Sequence, residues 1–168
     1  MKVLDRYALK MSEDRFYALG GWPTQRVAEL LIGESGRVID PVGLSREKED
    51  LFHDSLHLVE PIGPVVEIVR QYHRRLPMAV ATGAVRSVCQ RILHHIGIAD
   101  CFDAVVSSED VDRHKPSPDI FLEAARRLGV PAKHCRVYED TDPGIEAAQR
   151  AGMEYIDVRN LFTPRRVT

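Results

Sequence analysis

The chain has 168 residues, 44% of them hydrophobic, with 23 Lys and Arg against 25 Asp and Glu. That is enough apolar material for one packed domain, or a core with a small appendage, and it excludes wholesale disorder. A net charge of −2 argues against a nucleic-acid partner, and no apolar run reaches membrane-spanning length or forms a signal peptide after Met1.

The first sixty residues read as helical, with no convincing buried strand. Thr24 to Ile32 places Val27, Ala28, Leu30 and Leu31 on one face, after Gly20, Gly21 and Pro23, and Gly33-Glu34-Ser35-Gly36 breaks it. Ser45 reads as the N-cap of a helix running toward Leu58, with Glu47, Glu49 and Asp50 in its first turns. His53 and His57 are spaced to share a face of that helix, without a third ligand nearby. Pro61 to Pro64 marks a boundary, so residues 1–60 and 61–168 are expected to form separate units.

Beyond Pro64, helix and strand signals alternate. Val65 to Arg74 is helical, Met78 to Ala81 a buried strand, and Val85 to Ile96 a helix closed by Gly97. Ala104 to Val106 is a second strand, and Pro118 to Leu128 a helix with proline early and Gly129 just after it. Cys135 to Tyr138 is a third strand, Gly144 to Ala151 a helix, and Tyr155 to Val158 a fourth strand. Strands alternating with ten-residue helices predict an α/β fold with a parallel sheet wrapped by helices. Cys89, Cys101 and Cys135 are odd in number and irregular in spacing, as expected of reduced thiols in a cytoplasmic protein. Asn160 to Thr168, with Arg165 and Arg166, reads as a basic tail.

Ligands of open α/β sheets bind beyond the carboxyl ends of the strands, so the residues leaving each strand matter most. The first strand exits into Thr82-Gly83-Ala84: either a helix N-cap or an anion cradle of one hydroxyl and backbone N–H groups. The second leads to Lys115, bracketed within Lys-Pro-Ser-Pro: either a solvated surface lysine or a stiffly held cation for a phosphate. The third exits into Glu139-Asp140-Thr141-Asp142. Such carboxylates suit a helix N-terminus, or a hard cation such as Mg²⁺ held between Glu139 and Asp140. A hydroxyl, a lysine and a carboxylate pair after three successive strands match a Mg²⁺-dependent phosphoryl-transfer site.

Met78 to Val158 resembles the haloacid dehalogenase superfamily, in its β-phosphoglucomutase, phosphoglycolate phosphatase and fructose-1-phosphate phosphatase-like branch. Ala81-Thr82-Gly83 looks like the motif whose hydroxyl binds the transferring phosphate. Lys-Pro-Ser-Pro-Asp looks like the motif whose lysine, here Lys115, balances charge, and Glu139-Asp140 like the acids that hold Mg²⁺. The resemblance implies that Gly83 and Ala84 help bind substrate. It also implies that residues 1–60 are a helical cap with an incomplete first helix, whose Gly21-Trp22-Pro23-Thr24-Gln25-Arg26 resembles a substrate loop. Arg26 is then either a substrate contact or a surface residue of an amphipathic helix.

The departure from the family pattern is the opening strand and its Asp-x-Asp-Gly-Thr, which supplies nucleophile and acid/base; these residues contain no such run. Asp5 is a poor substitute, being followed by Arg6-Tyr7-Ala8-Leu9. In the family that strand lies between the third and first strands named above. Its absence predicts a truncated record with a misassigned start at Met1, a gap filled by another chain through strand exchange in a homo-oligomer, or direct pairing of the two flanking strands. The functional expectation is a Mg²⁺-dependent phosphatase or phosphomutase acting, in complete form, on a small phosphorylated metabolite such as a sugar phosphate. The alternative is a non-catalytic remnant that binds phosphate or a partner.

Overall fold

The computed structural model describes residues 2–162. Met1 and the tail's Arg165 and Arg166 lie outside the described residues.

The N-terminal part is helical: α1 (Lys2–Arg6), α2 (Glu13–Ala18), α3 (Thr24–Ser35) and α4 (Pro41–Asp54). Val3, Leu9, Ala28, Leu31 and Leu44 form its core. α3 runs through Gly33, which meets no neighbour, and stops at Gly36 in the left-handed conformation, φ 66°. Ser45 does not cap α4. The helix begins a turn earlier, where Asp40 accepts from the N–H groups of Val42 and Gly43 and Pro41 opens the first turn. Ser45 is buried inside the helix and donates to the Pro41 carbonyl, 2.7 Å away. α4 ends at Asp54 and His57 sits in a separate short 3₁₀ turn, so His53 and His57 do not share a helix face.

The remainder alternates: α5 (Gly63–Tyr72), β1 (Ala79–Ala81), α6 (Arg86–His95), β2 (Ala104–Val106), α7 (Asp119–Leu128), β3 (Arg136–Glu139), α8 (Asp142–Arg150) and β4 (Glu154–Asp157). β1 pairs in parallel with β2, Val80 opposite Val105; β3 pairs in parallel with β4, Val137 opposite Tyr155. Side chains alternate across each pair as the two-residue strand period requires. Val80 and Val105 face the cluster of Val66, Val69, Cys89 and Leu93 on α5 and α6. Ala79, Ala81 and Val106 face the opposite way, into a core built with α7 and α8. Val137 and Met153 enter that same core, so one helical layer serves both strand pairs.

No ladder joins the pairs among the described residues: there are two two-stranded sheets, β1–β2 and β3–β4. Direct closure of β1 onto β3 is therefore not what the chain does. What the two pairs share is one buried core, in which Phe121, Ala147 and Ala148 pack with Val106 of β2 and Val137 of β3. The three cysteines are free thiols, Cys89 buried. No described helix is long and apolar enough to cross a membrane.

Candidate phosphate and metal site

Thr82 follows β1 and is tied into the sheet by its N–H, which donates to the Val106 carbonyl at 2.9 Å. Its hydroxyl accepts from the N–H of Ala84, 3.1 Å away, closing a small turn. Thr82 is thus not the N-cap of α6. That position belongs to Val85, which makes no side-chain cap, and the first helical N–H, of Arg86, is taken by the Glu109 carboxylate at 2.7 Å. An open helix N-terminus, expected from the sequence as part of an anion cradle, is here occupied by Glu109.

Lys115 is not a surface lysine: it is 6% exposed. Its Nζ donates to Oε2 of Glu139 at 2.7 Å and lies 4.9 Å from the centre of the Phe121 ring. Glu139, 7% exposed, ends β3. Its other oxygen, Oε1, accepts from the Thr141 hydroxyl (2.6 Å) and the Thr141 N–H (3.1 Å). The Thr141 hydroxyl in turn accepts from the Gly144 N–H at the start of α8, 3.2 Å away. The carboxylate therefore rests against the positive end of α8, directly on Gly144, where a Cβ would overlap the Glu139 carboxyl carbon. The sequence reading takes Gly144 only as the start of a helix; its place directly after Asp142-Pro143, in the first turn of α8, was the available signal.

Asp140 keeps surface open to solvent, yet protein crowds it closely. This desolvation, followed by the negative charge of Glu139, raises its carboxyl above the usual range. A divalent cation would relieve that repulsion, and two hard oxygen donors fit Mg²⁺. They fill only part of its shell: among the described residues no cluster of three His, Cys, Asp or Glu residues is arranged to hold a metal. Asp142 projects away to pair with Arg159 at 2.8 Å.

The N-terminal helices meet the site through Gly21. A Cβ there would lie 3.1 Å from the Lys115 side chain and 3.5 Å from the Thr141 hydroxyl, and one on Gly83 would overlap the Gly21 carbonyl oxygen. Gly21 has φ +82°, which glycine alone adopts freely. Three separate loops, after β1, before α7 and after β3, thus converge on one glycine. Arg26 projects from α3, 66% exposed, and reaches Glu29 at 3.5 Å. It lies near enough to His114 that, after burial, its charge is the next cause lowering that imidazole below the usual range. Arg26 therefore stands beside the loop carrying Lys115 but not in contact with its ammonium. Asp5 lies in α1, exposed.

Behind Gly21 the helices enclose a cavity of about 280 Å³, lined by Leu19, Trp22, Val27, Leu31 and Leu44, with Thr24 and Lys48 on its wall. Lys48 Nζ donates to the Thr24 hydroxyl at 3.1 Å, and desolvation lowers its affinity for a proton. Sequence reasoning passed over Lys48, one charge among many on a charged helix. A larger surface cleft, about 470 Å³, is lined by Asp110, Asp119 and Glu123 and holds none of the site residues.

A family model described as haloacid dehalogenase-like hydrolase matches residues 1–158. The chain is 43% identical over 161 residues to the fructose-1-phosphate phosphatase YqaB of Escherichia coli K12, covering 95% of this chain and 85% of that protein. It is 27% identical over 160 residues to a phosphorylated carbohydrates phosphatase of Thermotoga maritima, covering 92% and 73%. Among solved structures, the β-phosphoglucomutase of Clostridium difficile superposes with a TM-score of 0.79 at 20% identity, covering 95% of this chain and 76% of that one.

Proposed function

The chain belongs to the haloacid dehalogenase-like hydrolases, and on that footing we propose that it carries the phosphate-holding and metal-holding part of a sugar-phosphate phosphatase site. The observation that supports this is the buried Lys115–Glu139 pair, with the loops carrying Gly83, Lys115 and Thr141 all meeting Gly21. A charged lysine fixed at strand ends supplies what a phosphoryl group needs: a cation that does not reorganise as charge develops. Thr82, with Gly83 and Ala84, supplies hydrogen bonds to phosphate oxygens. Glu139 and Asp140 would hold Mg²⁺, which neutralises phosphoryl charge when bound. Residues 1–60 act as a cap that excludes water and contacts the sugar end through Arg26 and Lys48. The relative acting on fructose 1-phosphate supports a ketose phosphate as substrate.

In this proposal the attacking aspartate is not among the 168 residues. Asp5 is an exposed residue of the short helix α1. These residues alone would therefore bind inorganic phosphate with Mg²⁺ and hydrolyse nothing. The test is calorimetric titration with phosphate and Mg²⁺, beside hydrolysis of an aryl phosphate and of fructose 1-phosphate. Expected is Mg²⁺-dependent binding, lost in Asp140→Asn and Thr82→Val, with no turnover. Hydrolysis by this chain that disappears in Asp5→Asn would overturn the assignment.

A further inference from the structure

We infer that His114 is a specificity-determining residue, whose Nε2–H donates to an uncharged oxygen, a hydroxyl or carbonyl, in the organic part of the substrate. This rests on the phosphate-site reading above, in which the neighbouring Lys115 takes the phosphoryl group.

Among the described residues, Nδ1 of His114 is the one buried side-chain nitrogen or oxygen without a hydrogen-bond partner. A buried N–H lacking an acceptor is rarely tolerated, whereas a bare lone pair is the milder omission. Both the imidazolium and the Nδ1–H tautomer would put such an N–H there. The ring therefore carries its single proton on Nε2 and is a donor at that atom. Burial, and then the charge of Arg26, also disfavour the imidazolium, against a smaller opposing pull from Asp112. The residue as a whole is half-buried, so with Nδ1 enclosed the Nε2 edge is the one left to meet a ligand. The backbone is held too: the His114 carbonyl accepts from the Ser117 N–H at 2.8 Å, closing the turn that carries Lys115. What the free edge can read follows from its neighbours. His114 adjoins the cation assigned to the phosphoryl group, Lys115, and lies within the field of the cation assigned to the sugar end, Arg26. A third positive charge there would be repelled by both, while a neutral donor is repelled by neither and suits an oxygen without a full charge. A sugar phosphate offers such oxygens outside its phosphoryl group, and inorganic phosphate offers none. A site built to hydrogen-bond a substrate hydroxyl discriminates against a ligand that lacks it.

The test compares calorimetric affinities of the full chain for inorganic phosphate and for fructose 1-phosphate, each with Mg²⁺. The parent is expected to bind fructose 1-phosphate more tightly than phosphate. His114→Phe should cut that preference by about threefold to tenfold, the size of one neutral hydrogen bond, and leave phosphate affinity unchanged. His114→Gln, whose amide nitrogen takes the place of Nε2, should restore most of the preference. His114→Asn, whose amide reaches only as far as Nδ1, should not. A packing role alone would move both affinities together and gain nothing from glutamine. Long-range proton–nitrogen spectra of the parent should show His114 protonated on Nε2 alone near neutral pH, and fructose 1-phosphate should shift that nitrogen where phosphate does not. If His114→Phe does not fold, these spectra decide. A parent without the preference, a His114→Phe that keeps it or weakens both ligands equally, or a proton on Nδ1 overturns the inference and leaves the phosphate site standing. A chain that binds neither ligand defeats the phosphate-site reading, and this inference with it.

Discussion

Replacing Lys115 by methionine removes one half of a buried ion pair and leaves the stem that packs against Gly21. Lys115 and Glu139 are 6% and 7% exposed and sit 2.7 Å apart. Losing one partner of such a pair costs about 3–5 kcal/mol, because the survivor is left charged and desolvated. Glu139 keeps the Thr141 hydroxyl and N–H on Oε1 and the start of α8, so only Oε2 is orphaned. The lower end, about 3 kcal/mol, is therefore expected. Against a folding margin of about 5–15 kcal/mol that is a large share. With a urea dependence of about 2 kcal/mol/M, the unfolding midpoint should fall by about 1.5 M at unchanged slope. Glu139→Gln in the Lys115→Met background should recover part of the loss, since it removes the stranded charge. A loss below about 1 kcal/mol would refute the reasoning, being what a solvated surface pair gives.

Two further outcomes follow from the same geometry. Gly144→Ala should destabilise the protein and weaken Mg²⁺-dependent phosphate binding by calorimetry, although alanine favours helix by about 1 kcal/mol, because its Cβ overlaps the Glu139 carboxyl carbon. The acid limb of stability should be set by α7. Arg126 and then Arg127 hold the Glu123 carboxyl at about 2. For Asp110, burial raises the carboxyl, but the Ser107 N–H, Arg127 and the Ser107 hydroxyl together outweigh it and hold it below the usual range. Both groups are depressed, so their contribution is complete above the unfolded carboxylate range near pH 4 and is lost as pH falls toward 2. Urea midpoints measured from about pH 5 to pH 2 should fall, and Arg127→Met should flatten that fall.

The order of helices and strands was legible because each buried element carries its own periodicity. β2 spans Ala104–Val106 as the run of apolar residues indicates, and β1 and β3 differ only at their ends. Thr82, Lys115, Glu139 and Asp140 were legible because each leaves a strand on the side where ligands gather. The reading of α4 from Ser45 starts the helix a turn late, because it passes over Asp40-Pro41, whose cap and first-turn proline open the helix. Gly21 and Gly144 were missed as contact points for a different reason. What makes them glycine is a neighbour far away in sequence, or a carboxylate folded back from the preceding strand, and neither leaves a periodic trace. Lys48 was hidden likewise: its setting depends on Thr24 of another helix.

The separation of the two strand pairs carries a mechanical consequence. Thr82 ends one pair and Glu139 the other, and no backbone ladder spans them. In a continuous sheet, hydrogen bonds would ratchet that distance into steps of about 4.8 Å. Here, among the described residues, no ladder fixes it, and the two pairs meet through one buried core that includes Phe121, Ala147 and Ala148. Enlarging Ala147 or Ala148, both fully buried, is therefore expected to disturb the packing under both pairs at once.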